Sequence, residues 1–175
     1  MATENLKSAT VTNLDASPIV ANTAGEGGAA GRVVVSSDYS TASLSASVTS
    51  TYRLVRVPSN CKIKNIFFES EAQTAGTFDI GLYYSSSTID SSLAGVVVPS
   101  CQTLFASAID CSAVVRTDCT NESTNYTLLK RNQPIWQAAG LTTDPGGYFD
   151  IVATVVSVAV TTGTGKLGVV VYYTA

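Results

Sequence analysis

A chain of 175 residues, 45% hydrophobic and only 13% charged, is long enough for one domain with a sizeable core and too apolar to be disordered throughout. Its formal net charge of −3, with no stretch that concentrates Lys or Arg, leaves no electrostatic footprint for nucleic acid. Histidine is absent, which removes Ser-His-Asp and Cys-His nucleophile systems and imidazole metal ligands; an enzyme here would have to run on carboxylates, Lys or Tyr.

Ser, Thr, Val, Ala and Gly dominate, a composition of strands and turns. Residues 1–7 carry neither a charged n-region nor an apolar core, so no secretory signal is read there, and no apolar run is long enough to span a bilayer. We therefore expect a protein made in the cytosol, with no membrane partner. The cysteines, Cys61, Cys101, Cys111 and Cys119, lack Cys-x-x-Cys spacing. Free, buried thiols are the expectation over a zinc site, and a disulfide among the last three would need an oxidising medium.

In chain order, residues 1–50 read as an extended arm. Residues 10–14 suit a short strand, 25–31 form a glycine-rich hinge, and 32–35 suit another strand. Residues 36–50 are small and polar, with Tyr39, Leu44 and Val48 as isolated apolar contacts. Such a segment can hardly offset its ordering entropy alone, so it is expected either to be ordered by a partner surface or to remain a passive tail.

Residues 51–57 read as a strand stopped by Pro58. The stretch 77–84 alternates cleanly, with Phe78, Ile80, Leu82 and Tyr84 on one face and Thr77, Asp79, Gly81 and Tyr83 on the other. The stretch 62–70 is less regular: Ile63 and Phe67 share a face while Ile66 and Phe68 oppose them. Either a bulge near Lys64-Asn65 shifts the register or both faces are covered. The short connection between these runs excludes a crossover helix, and we expect them to pair as antiparallel neighbours.

Residues 93–99 are a short apolar run closed by Pro99, and 104–110 form the next expected strand. Residues 111–125 read as a loop, 126–129 as a weak strand. Two glycosylation sequons in this region, at Asn121 and Asn125, are taken as chance in a chain without a signal. Pro134 opens a short helix closed by Gly140, and Asp144-Pro145-Gly146-Gly147 is a turn. Long strands over 148–158 and 166–173 follow, joined by a Thr/Gly hairpin loop. The pattern predicts an all-β antiparallel sandwich or jelly roll over residues 51–175.

The segments Val57-Pro58-Ser59-Asn60-Cys61-Lys62-Ile63, Thr74-Ala75-Gly76-Thr77-Phe78-Asp79-Ile80-Gly81-Leu82-Tyr83, Leu104-Phe105-Ala106-Ser107-Ala108-Ile109-Asp110 and Pro134-Ile135-Trp136 with Gly140-Leu141 and Asp144-Pro145-Gly146 carry a resemblance. Their order and spacing are similar to those of tailed-bacteriophage head decoration (capsid cement) proteins. The resemblance spans 51–175 and leaves out the arm and the loops that hold Cys101, Cys111 and Cys119. It implies a jelly-roll fold, the major capsid protein as partner, a place on the outer surface of the virion after assembly in the host cytoplasm, and a homo-oligomer, with a trimer favoured. A receptor- or glycan-binding module of a phage fibre is the alternative.

Asp110, Asp118, Glu122 and Asp144 match no calcium loop, and Asp79 and Asp150 read as outward, solvated acids. Trp136 is expected to close an open end of the sandwich. No catalytic site, cofactor or metal is expected. The candidate interface is an apolar patch of outward Tyr83 and Tyr172 with Ile66 and Phe68, extended by the arm anchors Leu14, Ile19 and Val20.

Overall fold

Alternating and β-branched runs become strands wherever turn residues separate them. In the computed structural model, which describes residues 32–42, 46–73, 75–86, 90–121, 124–156 and 165–175, they form β1 (Val33–Thr41), β2 (Thr51–Pro58), β3 (Lys62–Ser70), β4 (Thr77–Tyr84), β5 (Ala106–Asp110), β6 (Val115–Asp118), β7 (Tyr148–Val155) and β8 (Lys166–Thr174). Two four-stranded sheets result, in the orders β1-β8-β3-β6 and β2-β7-β4-β5, and all pairings are antiparallel. The pairing has a simple logic: the first strand meets the last, β2 meets β7, β3 meets β6 and β4 meets β5. Winding that folded ribbon on itself adds the β3–β8 and β4–β7 ladders. This is the double Greek key of a jelly roll.

The topology corrects one expectation. β3 and β4 are not ladder neighbours; they lie in opposite sheets. Both edges of β3 are taken by β8 and β6, and both edges of β4 by β7 and β5. The connection after Ser70 is a corner between layers, where Glu71 N donates to Lys166 O and Gln73 N donates to Cys111 O. A short connection excludes a parallel neighbour, but it fits a sandwich corner as well as a hairpin.

Three local readings also change. β1 pairs along its whole length with β8, so residues 33–41 of the segment read as an arm are ordered by the chain's own sheet. β6 lies inside the stretch read as the loop 111–125. Residues 126–129 form turns, with Tyr126 buried and its hydroxyl donating to Ile63 O at 2.8 Å. The expected strand at 10–14 lies outside the described residues.

The irregularity of β3 resolves as a bulge. Its register against β8 shifts between Ile63 and Asn65, which turns Ile63, Ile66 and Phe68 all inward and fully buried. They pack with Leu167, Val169 and Val171 of β8 against Phe78, Ile80 and Leu82 of β4 and Phe149 and Ile151 of β7. A second shift, between Arg53 and Val55, buries Leu54 and Val55 together. Each fully buried Leu, Ile or Phe contributes about 1.5–3 kcal/mol relative to exposure.

One end of the sandwich is closed by Phe105 against Tyr126, ring centroids 5.1 Å apart, and by the short helix α1 (Ile135–Ala138). Pro134 precedes α1, whose first amides bond outside the helix: Ile135 N to Cys61 O at 2.7 Å and Trp136 N to Ser59 O at 3.3 Å. Gly140, at φ +85°, ends it, and half-buried Trp136 packs on the core. In the following turn Gly146 N donates to Asp144 Oδ1 at 2.8 Å.

Candidate interface on the uncovered sheet face

The outer faces of the two sheets differ. On the β2-β7-β4-β5 sheet, Asp79, Gly81 and Tyr83 alternate with core residues and yet are buried, because the β4–β5 connection folds onto this face. It passes so close over Gly81 that a Cβ there would meet the Gln102 and Cys101 carbonyl oxygens. Asp79 accepts from Gln102 Nε2 (2.9 Å), Ala108 N (2.9 Å) and Ser107 Oγ (3.3 Å). The Tyr83 hydroxyl bonds Thr154 Oγ1 at 2.8 Å. Asp150, whose side chain is 4% exposed, accepts from Arg53 Nη1 at 2.8 Å and from Arg56 Nε and Nη2 at 2.7 and 3.1 Å. That contact raises the Arg56 guanidinium further above its ordinary value. Asp79 and Asp150 are therefore not the solvated acids expected from strand parity; each is gripped by donors brought from other segments.

Among the described residues, nothing covers the outer face of the β1-β8-β3-β6 sheet. Ladder register sets the rows: Val35, Tyr172 and Asn65; then Ser37, Val170 and Phe67; then Tyr39, Gly168 and Glu69. Val33, Val35 and Tyr39 are 56%, 53% and 61% exposed, while Phe67, Val170 and Tyr172 are half-buried by one another. Phe67 and Tyr172 meet edge to face at 6.2 Å. Arg116 lies over Phe67 at 5.8 Å and pairs with Glu69 at 3.3 Å, and Lys166 lies over the Tyr39 ring at 4.9 Å. Between these rims runs a groove of about 420 Å³ lined by Tyr39, Glu69, Val115, Arg116, Lys166 and Gly168, among others. The centre of the face is apolar; Glu69, Arg116 and Lys166 stand at one end, and Lys62, in register with Thr174 and Val33, stands at the other.

Of the residues expected at an interface, Tyr172 lies on this face. Ile66, Phe68 and Tyr83 do not; the first two point into the core through the bulge, and Tyr83 is sealed on the other sheet. Leu14, Ile19 and Val20 lie outside the described residues. Phe67 and Val170 were not singled out as interface residues, while Val33, Val35 and Tyr39 were read only as apolar contacts of the arm. Assigning Ile63, Ile66 and Phe68 to one side of a bulge would have turned Phe67 outward.

The chemistry of the remaining polar groups is local. Asp110, Asp118 and Asp144 each accept the amide two residues on, from Ser112, Thr120 and Gly146, all at 2.8 Å. Those bonds hold the Asp110 carboxyl below its ordinary value. All four cysteines are free and buried, and burial pushes the Cys61 thiol up to about 12 and those of Cys101 and Cys111 to about 11. Among the described residues no group of three or more Cys, Asp or Glu is placed to hold a metal ion, and no helix is long and apolar enough to cross a membrane.

No family model matches the chain, and no curated protein matches it. Among solved structures it is similar to a chain of the cyanophage Pam1 capsid asymmetric unit, at 16% identity over 88% of this chain and 93% of that one, with a TM-score of 0.43.

Proposed function

We propose that this jelly roll is a structural protein of a bacteriophage virion, a decoration protein that binds the outer surface of the head and stabilises its lattice. The observation that carries the reading is the contrast between the sheets: the β4–β5 connection covers β4 on one outer face, whereas among the described residues nothing covers the other, where Val33, Val35 and Tyr39 are exposed and Phe67, Val170 and Tyr172 half-buried. A contiguous apolar face of this kind is the mark of a surface that another protein covers. The segment resemblance to head decoration proteins supplies the partner, the major capsid protein, and the oligomer, a trimer. The protein acts as a mechanical tie rather than a catalyst. Several weak contacts on neighbouring capsomers, made by one oligomer, raise the free energy needed to rupture the lattice.

In this reading the chain ahead of β1, with Leu14, Ile19 and Val20, is the arm that runs over the shell, gaining main-chain hydrogen bonds and small pockets on assembly. The test is reconstitution. Heads assembled without this protein should bind the purified full chain to saturation and should then rupture at higher temperature. Heads that leave it in the supernatant at every concentration contradict the proposal, and binding to glycan instead would favour a fibre module.

A further inference from the structure

A second exposed apolar feature lies away from the bare sheet face. Leu128 and Leu129 are 70% and 71% exposed, adjacent in sequence, and larger than anything a turn needs. The loop that bears them is held at both ends. Its first anchor is Tyr126, buried against Phe105 and bonded to Ile63 O. Its second is the turn Lys130–Asn132, where Arg131 Nη2 donates to Lys64 O at 2.6 Å and Lys64 Nζ donates to Arg131 O at 3.3 Å and Asn132 Oδ1 at 3.0 Å.

These bonds have a structural reason. β6 pairs only with residues 67–70 of β3, so the rest of that β3 edge must be satisfied otherwise. Five residues do it piecemeal: Cys119 N donates to Ile66 O, Thr120 Oγ1 accepts from Ile66 N, then the Tyr126 hydroxyl, Arg131 Nη2 and Ile135 N reach the Ile63, Lys64 and Cys61 carbonyls. Closing the edge does not require leucine at 128 or 129. It does place Lys64, Lys130 and Arg131 together. Among the described residues, Lys130 and Arg131 have no carboxylate in ion-pair range.

We propose that Leu128–Leu129, presented on this braced loop beside Lys64, Lys130 and Arg131, is a docking point for an acidic segment of a partner protein that carries leucines between its carboxylates. The leucines supply the buried area, and the cations select a partner of opposite charge and speed encounter. Because the loop is already ordered, little freedom is lost on docking. The inference goes beyond the virion reading, since it requires a protein with such a segment whatever shell or fibre carries it.

The test uses the isotope-labelled full chain and a synthetic peptide of alternating Glu and Leu as probe. Amide shifts should centre on residues 127–132. They should need at least about tenfold more peptide in the L128S/L129S variant, the cost of two lost leucine contacts, while that variant keeps its melting temperature. K130E should weaken the Glu-Leu peptide but not an uncharged Ser-Leu one, and salt at about 0.5 M should do the same as K130E. Absence of shifts in the loop at millimolar peptide would overturn the proposal. So would leucine-dependent binding to phosphatidylglycerol vesicles in place of the peptide, or self-association that L128S/L129S abolishes. Failure here leaves reconstitution on heads untouched, and failure on heads leaves this titration readable.

Discussion

The two sheets are built from the same ribbon, yet one is finished by the chain and the other is not. On the β2-β7-β4-β5 sheet every outward position of β4 after Thr77 is buried, and its acids, Asp79 and Asp150, are saturated by Gln102, Ser107, the Ala108 amide, Arg53 and Arg56. On the β1-β8-β3-β6 sheet valines and aromatics occupy most of the outward positions of the central rows, and no other described residue covers them. A buried polar group has to be hydrogen-bonded, and this chain supplies those bonds on one side. A bare apolar face carries no such requirement, and its desolvation remains available to a partner. The contrast teaches that strand parity tells inward from outward, whereas long connections decide which outward face is surface.

The sharpest way to break the contrast is within β3. Phe68→Ala should destabilise the protein by about 3–5 kcal/mol, the cost of a cavity in a packed core, whereas neighbouring Phe67→Ala should cost about 1 kcal/mol or less because its site faces out. Chemical denaturation of both variants checks this; equal losses would mean the bulge register is wrong. Gly81→Ala should come next, at about 1–3 kcal/mol, because the Gln102 and Cys101 carbonyls leave no room for a methyl group. The matching change on the bare face, Gly168→Ala, meets Asp38 O at 3.3 Å and Tyr39 Cβ at 3.5 Å and should cost less.

Asp150→Ala removes the carboxylate between two arginines that are themselves 40% and 42% exposed. Water can resolvate them, so the loss should be about 1–2 kcal/mol rather than the larger cost of stranding a fully buried charge. A loss above that range would show the arginines to be more enclosed than their exposure implies.

The effect of pH is nil near neutrality and appears only in alkaline solution. Thiols with pKa values raised to about 12 and 11 favour the protonated form in the fold, against an ordinary value of 9.0. Their contribution is whole below pH 9 and is lost as pH rises from there through 11 to 12, because the unfolded chain ionises first. Denaturation midpoints should be flat from pH 7 to 8.5 on this account and should fall above pH 9.5. Substituting Cys61 by Ala should flatten part of that fall.

Much of the fold was legible where local signals were strong. The alternation of β4 and β8, the short helix after Pro134 and the Asp144 turn were all readable from periodicity and turn chemistry, while the irregularity of β3 was visible but left a bulge and a strand covered on both faces as equal readings. The sheet partners of β3 and β4 were not readable, since a short connection is compatible with a hairpin and with a corner between layers. β6 escaped because its short strand sits among turn residues and is defined by pairing rather than by pattern. The interface was the least legible part. Tyr83, Ile66 and Phe68 satisfied the composition of a contact patch, but a covering connection and a one-residue register shift put them inside. Phe67 and Val35 took the exposed places by the same shift and by pairing with β8.

The central claim is that the bare face of the β1-β8-β3-β6 sheet is the surface that meets the phage head. Co-sedimentation with heads lacking the protein tests it most directly, using Val35→Glu/Tyr172→Glu on that face and Ala94→Glu, an exposed site on the β4–β5 connection, as its counterpart. The account predicts that the double variant, whose facing glutamates lower its melting temperature but leave it folded at the assay temperature, stays in the supernatant, while the Ala94 variant pellets with the heads like the unaltered protein. Equal sedimentation of the double variant and the unaltered protein would contradict it.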